Sequence, residues 1–155
     1  MREEYAAILL HKIFAPGGSG YVDLQSPAGA GIAGIIYNYD GSIYASDEGR
    51  MLAEMGDTTF RLGHLDTDSF DAVMTGDLFV DILDRTMLEA VPMCSDCAFL
   101  PYCGADPVFH RATQGDLIGH KALSAFCRKQ MAVLRLLLTR MEDDPEAAAI
   151  LRSWV

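Results

Sequence analysis

An α+β fold is predicted for this chain of 155 residues: a small antiparallel β-hairpin or three-stranded sheet, a cysteine-rich loop and a long C-terminal helix. Two β-rich runs flank the turn pair Asp40-Gly41, and apolar residues recur every three or four positions from Leu123 to Met141. The alternating strand and helix pattern of a β/α barrel is absent. Half of the residues are apolar, enough to bury one core and too few for two independent domains of ordinary size. The expected division is an N-terminal helix and linker over 1–20, a main domain over 21–142 and a helical tail over 143–155.

The elements follow from local chemistry. Residues 3–14 place Tyr5, Ile8, Leu9 and Ile13 at helical spacing, and Pro16-Gly17-Gly18 cannot continue a helix. Residues 35–39 and 42–44 read as strands joined by a type I′ turn at Asp40-Gly41. Ser46 ahead of Asp47 and Glu48 is an N-cap followed by first-turn acids, which predicts a helix over 47–55 ending at Gly56. Residues 58–62 read as a third strand. Asp66 or Asp68 is expected to cap a helical stretch that Gly76 interrupts, and residues 77–88 resume it with Leu78, Ile82 and Leu88 on one side until Pro92. Residues 94–119, rich in Gly and Pro, read as irregular and too long for a bare connection without an organiser. Leu123, Cys127, Met131, Leu134, Leu138 and Met141 then predict the longest helix, over 121–141, broken at Asp143, Asp144 and Pro145 before a last short helix.

Twelve basic residues against twenty-two acidic ones leave a net charge of −10, which argues against nucleic acid as a partner. The N-terminal segment carries two acids beside its one Arg, and His11 and Lys12 break its apolar run, so neither a signal peptide nor a membrane span is read there. A cytoplasmic location is the expectation. Thiols stay reduced in that compartment, where grouped cysteines serve as metal ligands more often than as disulfides.

The chemistry lies in Cys94-x2-Cys97-x5-Cys103 and a distant Cys127. A CxxC pair turns two sulfurs toward one centre, Cys103 closes the loop, and a fourth thiol on a helix clamps it. Four cysteines serve iron–sulfur clusters or zinc, so ligand count alone does not choose the metal. Unligated core cysteines are a third reading, although nothing in core packing calls for such crowding in a loop. The zinc reading lacks the usual second close pair.

The run CSDCAFLPYCGADPVFH, the upstream DGSIYAS leading into DEGRML, then FRLGHL and the later FCRK together resemble the SPASM/twitch-type auxiliary-cluster domains that follow the barrel in radical S-adenosylmethionine (SAM) peptide maturases. Within that group the chain is similar to the His-Xaa-Ser system maturases, over roughly residues 21–129. A full SPASM domain carries cysteines for two clusters. The corresponding places here hold the Ser26 to Ala28 stretch, Ser46 and Pro107, so the first auxiliary cluster is expected to be missing as a unit. The resemblance implies that Cys94, Cys97, Cys103 and Cys127 ligate one 4Fe-4S cluster, with a single zinc ion as the alternative. The CxxxCxxC motif that binds the SAM-cleaving cluster is absent, so SAM is expected only on a separate catalytic domain. The implied partners are a radical SAM barrel, in cis or in trans, and a precursor peptide of the His-Xaa-Ser type. The chain is expected to be inactive alone, either the C-terminal third of a larger maturase or a free-standing relative. The non-redox alternative is a zinc-stapled protein-interaction module.

Other signals are weaker. Gly29, Gly31 and Gly34 match GxGxxG literally, but a hairpin follows where a dinucleotide site needs a helix. Asp66, Asp68 and Asp71 resemble a calcium loop, yet Asp71 stands where the turn glycine belongs. His64, His110 and His120 read as ordinary polar loop residues. Arg111, Arg128 and Lys129 lie near the cysteines in sequence and would either offset a cluster's negative charge or point into solvent.

Overall fold

A computed structural model describes residues 1–15, 17 and 20–155; Pro16 and Gly18 of the expected helix stop lie outside the described residues. The fold is α+β. Helix α1 spans Glu4–Phe14, and the Glu3 carboxylate caps it by accepting from the amides of Tyr5 and Ala6 at 3.2 and 2.6 Å. Strands β1 (Ile36–Tyr37), β2 (Ser42–Tyr44) and β3 (Arg61–His64) form one antiparallel sheet in that order, with Tyr37 opposite Ile43 and Ile43 opposite Gly63.

The hairpin turn is one residue longer than the expected type I′ pair. Gly41 N–H donates to Asn38 O at 3.0 Å and Asn38 N–H to Ser42 O at 2.8 Å, so Tyr39, Asp40 and Gly41 make the loop. A type I′ turn needs positive φ at both central residues, but only Gly41 has it (φ 87°); the loop is a type I turn closed by a left-handed glycine. Asp40 keeps the ordinary conformation because its carboxylate accepts from Ser42 N–H at 2.9 Å and fixes the turn from within. The third strand also begins later than expected. Asp57 accepts from Thr59 N–H at 3.0 Å and Arg61 N–H donates to Thr58 O at 3.0 Å, which commits residues 57–60 to a turn despite their β-forming side chains.

Helix α2 (Asp47–Glu54) starts at the expected cap, Ser46 Oγ accepting from Gly49 N–H at 3.1 Å. Helices α3 (Phe70–Met74) and α4 (Asp77–Arg85) flank Gly76. Neither expected aspartate caps α3: Ser69 does, whereas the Asp68 carboxylate turns back to His64 N–H at 2.7 Å. Helix α5 (Pro107–Gln114) lies inside the segment expected to be irregular. Asp106 caps it by accepting from Phe109 N–H at 2.8 Å, Pro107 opens its first turn and Gly115 closes it at φ 74°. Helix α6 (Ala125–Asp143) starts four residues after the expected position because Ser124, with Oγ accepting from Cys127 N–H at 3.1 Å, fixes its first turn. Leu123 therefore precedes the helix and stands 71% exposed, and the face α6 buries is Phe126, Gln130, Leu134 and Leu137. Helix α7 (Pro145–Arg152) follows, capped by Asp144.

Two apolar clusters result. One gathers Ala45, Phe60, Ile82, Leu88, Val108 and Leu117 around the sheet, α4 and α5. The other joins α1, α6 and α7 through Leu9, Leu10, Leu134, Leu137 and Leu151. Fully burying an aliphatic side chain stabilises by about 1.5–3 kcal/mol, so Leu9, Leu10 and Leu134, all at 0% exposure, fasten the terminal helices to the long one. The cysteine segment lies between the clusters: Cys94 and Leu100 pack on the first, Phe99 and Tyr102 on the second.

Candidate metal centre

Residues 91–103 are held by hydrogen bonds that reach back three residues: Cys94 N–H to Val91 O at 3.0 Å, Cys97 to Cys94 at 2.9 Å, Leu100 to Cys97 at 3.0 Å and Cys103 to Leu100 at 3.3 Å. Cys94, Cys97, Leu100 and Cys103 all line the same cavity of about 290 Å³. The left-handed Met93 (φ 70°) turns the chain into this run.

Two anchors fix Cys103. Lys12 of α1 donates its ammonium to Cys103 O at 2.7 Å and also to Leu24 O. Ala105 N–H donates to Gln25 O at 3.0 Å, which lays the Cys103–Gly104 backbone against residues 23–25. Cys127 reaches the cavity from a separate element, in the first turn of α6, whose amide-rich end favours a thiolate there. All four sequence-predicted ligands thus line one cavity, three from the loop and one from the helix. The remaining wall includes Phe99, Phe126, Met131 and Leu134. Met131 Sδ stands 3.9 Å from Cys127 Sγ.

Among the described residues, no group of three or more His, Cys, Asp or Glu side chains is placed to hold a metal ion; the four cysteines are among the residues that line the cavity. Burial raises the pKa of Cys94, Cys103 and Cys127 above the ordinary thiol value, with Cys103 pushed up to about 11. Neighbouring sulfurs add to the effect by mutual repulsion, whereas the Lys121 ammonium opposes it at Cys94 and Cys127. A neutral thiol must release its proton to ligate, so occupancy by a metal is coupled to proton release and is favoured by higher pH. The donor set, sulfur only, fits a soft-metal or iron–sulfur group.

One sequence-level reading needs correction. His110 is no solvated loop residue: it is 1% exposed and both ring nitrogens are engaged. Nδ1 lies 2.6 Å from the Asp106 carbonyl, which only accepts, so Nδ1 carries the proton and Nε2 accepts from Ser124 Oγ at 2.9 Å. His110 thereby holds the hydroxyl that caps Cys127. Arg111 pairs with Asp57 at 2.7 Å, outside the cavity lining. Lys129 is also absent from that lining and stacks over the Tyr5 ring at 4.9 Å. The cations that do line the cavity are Lys121 and Arg135. Arg135 follows Cys127 by eight residues on a helix, the same side after two turns, and was legible by that spacing; Lys121 precedes the helix and carried no such signal.

His110 gives a pH prediction. Burial, with the Lys121 charge adding to it, lowers its pKa below the ordinary 6.5, against the raising influence of Asp106 and Asp116. As pH falls through 6.5 the unfolded chain takes up a proton that the fold resists, so this residue's stabilising contribution is complete above 6.5 and is lost progressively below it. The urea midpoint of the metal-free chain is expected to fall more steeply from pH 6.5 to about 5 than that of His110→Gln, which does not titrate; equal slopes would contradict it.

In comparisons with known proteins, no family model matches the chain, no curated protein matches it and no solved structure matches it. No helix among the described residues is long and apolar enough to cross a membrane.

Proposed function

We propose that this chain is an auxiliary 4Fe-4S module of a radical SAM peptide-modifying maturase, acting in the cytoplasm beside a catalytic barrel supplied in cis or in trans. The observation that carries the reading is the convergence of Cys94, Cys97, Cys103 and Cys127 on one cavity from two separate parts of the chain. Four thiols on one cavity suit either an iron–sulfur cluster or one zinc ion, and a spacing that lacks the second close cysteine pair usual for zinc favours the cluster. The motif resemblance supplies the maturase context and the His-Xaa-Ser type of precursor peptide.

When bound, the cluster would supply a one-electron site. Ligation by four thiolates leaves no position for substrate, so the role is relay of an electron or support of the barrel and its peptide. The chain's own part is to hold the sulfurs, through the three-residue repeat and the Ser124 cap, and to keep water out with Phe99, Phe126, Met131 and Leu134.

Anaerobic purification followed by iron, sulfide and zinc analysis tests the proposal. The expected product is brown, with broad visible absorption and about four irons and about four sulfides per chain. Colourless protein with one zinc ion would replace it with the non-redox interaction module.

A further inference from the structure

A thiolate-ligated cluster is anionic, and the cavity contains its own answer to that charge. Lys121 is 8% exposed and lines the same cavity as the four cysteines. Its ammonium donates to Ile118 O, which tethers it there. Among the described residues Lys121 forms no ion pair with a carboxylate. Asp116, an acid whose charge acts on it, is occupied with the amides of Ile118 and Gly119 at 2.8 and 2.9 Å. A buried cation without an anionic partner is costly to the fold. The groups that share the cavity with it and become negative on ligation are the sulfurs of Cys94, Cys103 and Cys127.

The geometry points to Lys121 as the countercharge of the centre, a buried ammonium that offsets the negative cluster and holds its reduction potential up. The inference rests on the cluster reading proposed above and concerns how that same site is tuned. Reduction adds one electron and neither makes nor breaks a bond. The added negative charge is stabilised by a cation in a poorly screened wall, so neutralising that cation disfavours the reduced state. Arg111 and Lys129, which lie nearer the ligands in sequence, cannot do this from their positions outside the cavity lining.

The test uses the full chain, loaded anaerobically and titrated with dithionite through redox mediators, with visible bleaching and electron paramagnetic resonance as readouts. Lys121→Gln keeps a donor for Ile118 O and removes the charge; Lys121→Arg keeps the charge. For K121Q the reduction equilibrium is expected to fall about tenfold, a shift of about 59 mV to lower potential for one electron, while K121R stays near the wild type. K121Q that carries full iron at the wild-type potential overturns the inference and leaves the cluster reading intact. If K121Q loses its iron and K121R keeps it, the charge is needed to hold the cluster at all, which upholds the inference. Loss of iron from both overturns it, since Lys121 then acts through the shape of its turn. A wild-type chain without iron removes both readings together.

Discussion

Replacing Cys127 with Ala is expected to strip the chain of its metal, lowering bound iron from about four per chain to below about one. The other three thiols sit within ten residues of one loop and line the cavity. Cys127 is the donor from helix α6. The neighbouring Met131 thioether is no substitute, since a neutral weak donor does not replace a thiolate. Because the centre joins loop and helix, its loss also removes stability. A group held at a hundred times its dissociation constant contributes about 2.7 kcal/mol, and the cluster-loaded wild type should exceed C127A by at least about that in a denaturation midpoint under anaerobic conditions. Leu123→Ala, at a site 71% exposed and just outside α6, serves as the control and should leave iron and midpoint unchanged. Full iron in C127A, with an unaltered spectrum, would mean that the helix thiol is not a ligand.

How much of this was visible in the sequence depends on where the determining interactions lie. The four cysteines were legible because their spacing is itself the signal, and the cap at Ser46 because capping is local chemistry. The hairpin was found but its turn was one residue short, since Asp-Gly fits both turn types and the choice was made by Asp40 folding onto Ser42. Helix α5 was hidden by the glycines and prolines around it, although Asp106, Pro107 and Gly115 stand at the N-cap, N1 and closing positions of a helix. Long-range partners were beyond reach. Nothing in the order of residues says that Ser124 is held by His110 fourteen positions earlier, or that Lys12 reaches across to the Cys103 carbonyl. Those two contacts connect the ligands to the rest of the fold.

The closest of these long-range approaches yields the second large effect. Gly104 follows Cys103, and a Cβ on it would lie 2.2 Å from Asp23 O, 2.4 Å from Leu24 Cα and 2.6 Å from Gln25 N. All three are backbone atoms, so no side-chain rotation relieves the clash, and the strands of chain must part. Parting them strains the Ala105–Gln25 hydrogen bond at 3.0 Å and the bridge that Lys12 makes between Leu24 O and Cys103 O. Overpacking of a tight site costs about 1–3 kcal/mol, occasionally more. With backbone on both sides the upper end, about 3 kcal/mol, is expected for Gly104→Ala in the urea midpoint of the metal-free chain. The displaced backbone also carries the Cys103 thiol toward solvent, so G104A should let an alkylating reagent reach that thiol faster. Gly34→Ala is the matched control: its Cβ meets nothing within 4 Å, and its effect should stay within about 0.5 kcal/mol. A G104A chain as stable as G34A, with Cys103 as protected as in the wild type, would show that the 23–25 segment does not hold this ligand in place.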